Sequence, residues 1–253
     1  MTRASEESFS PARNTPRAGA ILVLLVLVAS GCARPLLERA IVARGGTLQS
    51  LSRASTADVT RGFPGQWAWR FDYRVPDRLR WTIETYGEEQ SIAYDGSTVR
   101  YFLGSARLPE TPAALADFAS IVRWTSVTTL DALARDPDVV LRELAPAETP
   151  AGAASALEVR YRSDGARYVL SFDAADRLVA AEGPIAVPTI AAGRMHAAYG
   201  DFVTVDGYVL PRVGDYTIDG APFFRETVRR WVPNDPRLGP ASFAGPPSPS
   251  APE

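Results

Sequence analysis

The sequence predicts a mainly β (α+β) protein, a strongly curved antiparallel half-barrel of about ten or eleven strands with helices covering its concave face. Apolar and polar residues alternate with a period of two in a series of segments between residues 66 and 232. Asp-Gly pairs separate several of these segments, which is typical of antiparallel hairpins. One helical pattern precedes the strands and one or two more interrupt them. A half-open sheet needs such apolar elements to cover its concave face.

The first 31 residues have the layout of a secretory signal peptide. Three arginines precede an apolar stretch over residues 18–29, and the small residues Ser30 and Gly31 follow it. This stretch is shorter than the about 20 residues that a helix needs to span a bilayer. The pattern therefore predicts a cleaved leader over residues 1–31.

Cys32, the only cysteine, follows the leader directly. The stretch Ala-Ser-Gly-Cys at residues 29–32 resembles the bacterial lipobox, although that pattern prefers leucine where Ala29 stands. The resemblance implies a diacylglycerated thiol, a lipidated N-terminus over residues 32–34 bearing chains such as palmitate, and anchorage in the cell envelope. Ala33 after the cysteine resembles enterobacterial lipoproteins of the outer membrane, which implies an outer-membrane protein facing the periplasm.

Composition limits the other partners. The chain carries 27 basic and 29 acidic residues, for a net charge of −2, and these charges are interspersed as on a solvated surface. Nucleic acid would require a clustered basic surface, so no nucleic-acid partner is expected. One cysteine and one histidine do not make a Cys/His metal site, and we expect no metal or cofactor.

The mature chain is predicted to begin with an amphipathic helix over residues 35–53, broken or kinked at Gly45 and Gly46. Its apolar residues fall near one face: Leu37, Ile41, Leu48 and Leu51. Strands follow over residues 66–75 and 78–86, with a hairpin about Asp95-Gly96. Helices are then predicted over residues 111–124, which include Phe118, and over residues 128–136.

The second half of the chain returns to strand patterns. These lie at residues 138–144, 156–162, 166–183, 194–218 and 223–232, two of the segments being hairpins. The half-barrel domain is thus predicted over residues 35–232. Residues 233–253 are rich in Pro, Ser, Gly and Ala, with little to bury, and predict a disordered tail.

An aromatic stripe marks the first two strands of the strand-rich region. Its residues share one face of these strands: Trp67, Trp69, Phe71, Tyr73, Trp81 and Ile83. The stripe is predicted to line a ligand cavity, because such sites are concave and mostly apolar. Leu37, Ile41, Leu48 and Phe118 are predicted to form its helical lid. Plain core packing between the stripe and the first helix would bury the same face, and the sequence leaves both interpretations open.

The order of these elements resembles the LolA/LolB-like lipoprotein-carrier superfamily over most of residues 35–232. The resemblance is carried by the lipobox, by the strings P-D-R-L-R, Y-D-G and D-G-Y-V-L-P-R, and by the mid-chain helices. It implies a half-barrel with a helical lid and an apolar cavity for the acyl chains of a lipid or lipoprotein client. The membrane-bound acceptor members are lipoproteins with a protruding apolar loop between early strands, and the early connections here are short or polar.

The sequence leaves three functional classes open. The leading interpretation is a non-enzymatic, lipid-anchored envelope protein that binds acyl chains for transport or sorting. The alternative is an envelope-assembly or sensor lipoprotein that binds protein partners and fills its core with its own side chains. A hydrolase would depend on His196, the only imidazole, and the chain has neither a G-x-S-x-G nor an H-E-x-x-H motif.

One further connection is apolar enough to suggest a role. Residues 183–193 read GPIAVPTIAAG and carry three branched apolar side chains, at positions 185, 187 and 190. The segment is predicted to be either a buried connection or a loop that dips into the membrane or gates the cavity.

Overall fold

The computed structural model describes residues 33–85, 88–109, 112–187 and 191–246. The predicted signal peptide and the predicted lipidation site Cys32 lie outside these residues. Residues 247–253 of the predicted tail also lie outside them.

In the part of the chain that the structure describes, thirteen β-strands form one antiparallel sheet, which confirms the prediction of a mainly β fold. The strands are β1 (Ser50–Val59), β2 (Gly65–Arg74), β3 (Arg78–Thr85), β4 (Glu88–Tyr94), β5 (Val99–Leu103), β6 (Ala106–Leu108), β7 (Val139–Glu143), β8 (Ser155–Tyr161), β9 (Arg167–Phe172), β10 (Leu178–Val187), β11 (Ala191–Val205), β12 (Tyr208–Ile218) and β13 (Ala221–Pro233). Their order across the sheet is β6-β5-β4-β3-β2-β1-β13-β12-β11-β10-β9-β8-β7. The first and last strands of the chain are therefore neighbours, and all other neighbours are consecutive in the chain.

Among the described residues, two α-helices pack with the sheet: α1 over residues 33–44 and α2 over Pro112–Thr129. A short 3₁₀ helix, Pro240–Phe243, follows the last strand. Helix α2 is fixed to β10 by a hydrogen bond of 2.8 Å from the Ala186 N–H to the Ser120 hydroxyl. The main hydrophobic core contains residues of both helices and of strands on either side of the β1/β13 pair, among them Leu37, Leu79, Phe118 and Leu157.

Helix α1 ends at residue 44, and the prediction of a helix as far as residue 53 is wrong. Gly45 and Gly46 both have φ +111°, and their N–H groups donate to the carbonyl oxygens of Val42 and Ile41, which caps the helix. Strand β1 begins at residue 50 because it pairs on both sides, with β2 and β13. The small polar residues of β1 show no clear alternation of apolar and polar side chains, and β6, with three residues, is too short to show one. Neither strand could therefore be predicted from the sequence pattern.

The central helix is longer than predicted. Helix α2 extends past residue 124 to Thr129, and the second helix predicted over residues 128–136 is wrong. Leu130 adopts φ +70°, a left-handed conformation that ends the helix, and residues 131–135 form turns. One central helix is present in the described residues, within the predicted one or two.

The apolar connection predicted at residues 183–193 is largely strand. Residues 183–187 end β10 and residues 191–193 begin β11, and only residues 188–190 lie outside the described part. Ile185 and Val187 are buried at 5% and 8% exposure. The two strands pair through residues 185 and 193, which excludes an exposed loop there.

The prediction of a disordered tail does not hold for residues 234–246. Phe243 is fully buried, and Leu238 is 7% exposed. Arg80 of β3 donates from Nε to the Ser242 carbonyl oxygen at 3.0 Å. Arg80 points away from the aromatic stripe, as the alternation predicts, but is buried because this C-terminal segment covers it.

Candidate ligand-binding cavity

A cavity of about 530 Å³ lies between the sheet and helix α2. One wall comes from β1 to β5 and includes Leu51, Arg53, Val59, Ile92, Tyr101 and Phe102 together with the aromatic stripe. Another comes from β10 to β13 and consists of Ile185, Val187, Met195, Tyr199, Tyr216, Phe223 and Phe224. Helix α2 contributes Ile121, Trp124, Thr125, Thr128 and Thr129. A volume of this size lies within the range of ligand pockets, roughly 300 to 1,000 Å³, and the lining is predominantly apolar.

All six residues of the predicted stripe lie on the cavity wall: Trp67, Trp69, Phe71, Tyr73, Trp81 and Ile83. Strands β2 and β3 pair so that Phe71 is opposite Trp81 and Trp69 is opposite Ile83. The Phe71 and Trp81 rings stack with centroids 5.5 Å apart. Trp69 meets Trp81 edge to face at 5.2 Å. The rings of the stripe thus pack against one another in the favourable stacked and edge-to-face arrangements.

The four residues predicted to form a lid lie elsewhere. Leu37, Leu48 and Phe118 are at most 2% exposed, and Ile41 packs partly buried against the main core. Among the described residues, the cavity lining includes none of these four. They anchor the elements that carry them, and other residues of α2 face the cavity.

The wall from β10 to β13 was missed by sequence reasoning. Phe224 of β13 meets Trp69 edge to face at 5.0 Å and stacks on Tyr216 with centroids 4.1 Å apart. The alternation in these strands indicated buried faces, but not that they would meet the stripe of β2 and β3. That meeting depends on the pairing of β1 with β13.

A cluster of polar side chains adjoins the apolar wall of the cavity. The Glu226 carboxylate is 2% exposed and accepts hydrogen bonds from the Ser55 hydroxyl at 2.7 Å and the Tyr216 hydroxyl at 3.3 Å. Arg53 Nε forms an ion pair with Glu226 Oε1 at 3.0 Å. Burial raises the pKa of Tyr216 well above its ordinary value, and the nearby Glu226 charge raises it further. Burial also raises the pKa of Tyr199. Both phenols therefore remain protonated at neutral pH.

A smaller cavity of about 90 Å³ adjoins the polar cluster. Five residues line both cavities: Leu51, Arg53, Thr128, Thr129 and Tyr199. Two further arginines, Arg44 and Arg177, line only the smaller one. The guanidinium of Arg53 thus lies where the two cavities meet.

The cavity wall also includes two exposed apolar side chains. Phe63, between β1 and β2, is 61% exposed, and Leu108, at the end of β6, is 40% exposed. The Trp67 indole donates to the Phe63 carbonyl oxygen at 3.0 Å, which ties this connection to the aromatic stripe. An apolar rim of this kind suits the entry of an apolar ligand.

His196, on which a hydrolase would depend, is exposed on β11 and is absent from the described cavity lining. Among the described residues, no group of three His, Cys, Asp or Glu side chains could hold a metal ion. The same part of the chain contains no helix long and apolar enough to cross a membrane.

The arrangement of a mainly β antiparallel sheet with two helices is a LolA-like fold. It agrees with solved structures of that kind over most of the chain. The resemblance expected from the sequence is thus supported at the level of fold.

Three solved structures show the similarity. A LolA superfamily protein from Nitrosomonas europaea has a TM-score of 0.53 and 14% identity, covering 83% of this chain and 96% of that one. A "putative outer membrane lipoprotein-sorting protein domain" from Vibrio parahaemolyticus has a TM-score of 0.53 and 11% identity, covering 83% and 97%. A DUF1329 family protein from Desulfovibrio piger has a TM-score of 0.56 and 11% identity, covering 85% and 97%. No protein-family model and no curated protein matches the chain.

Proposed function

We propose that this protein is a non-enzymatic, lipid-anchored envelope protein that binds acyl chains of lipids or lipoproteins for transport or sorting. The observation that carries the proposal is the cavity of about 530 Å³, walled by aromatic and aliphatic side chains. Burying the apolar surface of a ligand in such a cavity stabilises the complex by roughly 25 cal/mol per Å². The LolA-like fold, seen also in a lipoprotein-sorting domain, supports a carrier or sorting role.

The proposed anchor at Cys32 would hold the cavity close to the membrane. Helix α1 is present from residue 33, and Ala33 and Leu36 are fully buried in the folded domain. Residue 33, next to the proposed anchor, is thus already part of the folded domain. We place the protein in the outer membrane, facing the periplasm, with its acyl-bearing client and envelope proteins as partners.

Acyl lipid is expected to co-purify with residues 33–253 secreted into a bacterial periplasm. The apolar wall should retain a chain through purification because release would return it to water. Native mass spectrometry, followed by organic extraction, measures the lipid bound per protein. A clean ligand-free mass, with no uptake of added phospholipid or acylated peptide, would contradict the carrier proposal and favour protein partners.

Cys32→Ser in the full chain is expected to abolish incorporation of radiolabelled fatty acid. Only the thiol accepts the diacylglyceryl group in the proposed modification, and serine has none. Labelling of the two proteins is compared after delipidating washes, with an Ala33→Ser chain as the matched control that keeps the cysteine. Equal labelling of the wild type and Cys32→Ser would rule out the anchor at this residue.

A further inference from the structure

Arg53 is the one charged side chain among the described residues of the large cavity wall. Its guanidinium lies over the Phe71 ring, with Cζ 4.3 Å from the ring centroid, and 5.8 Å from that of Trp231. Nε pairs with Glu226 at 3.0 Å. Within the described part of the chain, Nε makes no hydrogen bond in spite of this ion pair, and neither do the two Nη atoms. The Arg53 guanidinium, held beside two aromatic rings and lining both cavities, therefore has donors left for a ligand.

The charges around this fork favour an anion. Every charged side chain that lines either cavity, in the described residues, is an arginine: Arg44, Arg53 and Arg177. Their carboxylate partners, Asp131, Glu226 and Asp173, are not among those lining residues. Glu226 already accepts hydrogen bonds from Ser55 and Tyr216, so its negative charge is stabilised without the Nη groups. A planar guanidinium fork binds a carboxylate with two parallel hydrogen bonds.

The size of the large cavity limits how many chains it holds. A water molecule takes about 30 Å³ in the liquid, and a methylene group is of similar size, so a chain of about 16 to 18 carbons fills roughly 500 Å³. The cavity volume of about 530 Å³ is of the order that one such chain needs. A single chain is therefore the smallest ligand that would occupy most of the cavity.

We propose that the cavity binds a single-chain fatty acid, with its carboxylate held by the Nη groups of Arg53 and its chain along the aromatic stripe. The inference rests on the proposed function and names its ligand class. Arg53 is then the residue that selects an acid over other molecules with the same chain.

The test uses the full chain in envelope membranes, labelled with a palmitate analogue that carries a photoreactive group at the end of its chain. Unlabelled palmitate, hexadecanol, hexadecyl phosphate and dipalmitoylphosphatidylcholine compete for labelling. Palmitate is expected to compete at a concentration at least about tenfold lower than hexadecanol, because the alcohol cannot accept both guanidinium hydrogen bonds. Palmitate should also compete at a lower concentration than hexadecyl phosphate and than dipalmitoylphosphatidylcholine.

The outcomes separate the two proposals. Equal competition by palmitate and hexadecanol would overturn the role of Arg53 and leave an acyl-binding cavity in place. Stronger competition by hexadecyl phosphate would overturn the carboxylate, and stronger competition by the phospholipid would overturn the single chain. Labelling that no competitor reduces would count against the proposed function itself.

The variant Arg53→Gln/Glu226→Gln removes both charges of the pair and so leaves no unpaired buried carboxylate. It is expected to lose the preference for palmitate over hexadecanol while both still compete. The matched control, Arg225→Gln/Asp215→Asn, removes an exposed ion pair of 3.1 Å between two residues that line neither cavity and should keep the preference. Arg53→Lys retains a charge beside Glu226 but has no fork, and a partial loss of preference is expected. A full preference in either Arg53 variant would refute the assignment.

Discussion

Replacing Gly45 with alanine is expected to destabilise the protein much more than the same replacement at Gly46. Both glycines have φ +111°, so each substitution strains the backbone by about 1 to 3 kcal/mol. At Gly45 the new Cβ would also lie 2.2 Å from the Gly207 carbonyl oxygen and 2.9 Å from the Tyr208 Cα. These backbone atoms cannot rotate away, and such overpacking costs about another 1 to 3 kcal/mol. Urea denaturation of each variant measures the free energy of unfolding.

Gly46 is a matched control because a Cβ there would meet nothing within 4 Å among the described atoms. The difference between the two variants therefore isolates the close approach of Gly45 to the turn between β11 and β12. Equal losses would mean that the end of α1 does not press on that turn in solution. The contact matters because α1 directly follows the proposed anchor and precedes β1.

The aromatic stripe could be placed from the sequence because alternation over ten residues of β2 leaves one consistent face. Trp67, Trp69, Phe71 and Tyr73 must share that face in any sheet, and the Pro76-Asp77 turn carries the pattern into β3. The ligand-facing role of the stripe was not decided by this pattern, because core and cavity walls bury the same residues. The volume left between sheet and helix supports a ligand-facing role as a proposal, and that volume depends on packing.

The polar cluster could not have been found in this way. Ser55 and Glu226 lie 171 residues apart in the chain and meet only because β1 pairs with β13. Arg53 falls inside a segment whose leucine spacing predicted a helix. The glycine pair at residues 45–46 was the available signal that the helix ends earlier, since glycine adopts positive φ without strain.

The C-terminal segment, residues 234–246, shows a different limit of prediction from the sequence. Its composition is low in apolar residues, yet Leu238 and Phe243 are buried. Arg80 donates hydrogen bonds to the carbonyl oxygens of Ser242 and Gly245, and Arg74 donates one to that of Leu238. Composition averages over such sparse contacts and therefore predicted disorder for a segment that a few specific contacts hold.

The double variant Trp69→Asp/Phe71→Asp is expected to lose all bound acyl lipid. Each carboxylate would stand in an apolar wall, where burying an ionised group without a partner is strongly unfavourable. The variant also removes the contacts of Trp69 with Trp81 and Phe224 at 5.2 and 5.0 Å. Native mass spectrometry of the protein from the periplasm measures lipid per chain, and circular dichroism measures folding. Ala68→Asp/Thr204→Asp is the matched control, since both residues are exposed on strands and absent from the cavity lining.

A second double variant distinguishes loss of lipid from loss of structure. Thr125 and Thr128 face the cavity from α2, and their hydroxyls donate to carbonyl oxygens of the helix itself. The Thr128 side chain also hydrogen-bonds to Tyr199. Thr125→Phe/Thr128→Phe would occupy part of the cavity with apolar volume and introduce no charge. If acyl chains occupy this space, the variant should fold and carry less lipid than the wild type. A folded variant that keeps its full lipid content would place the chains away from the part of the cavity beside α2, because the added rings and the chains cannot occupy the same volume.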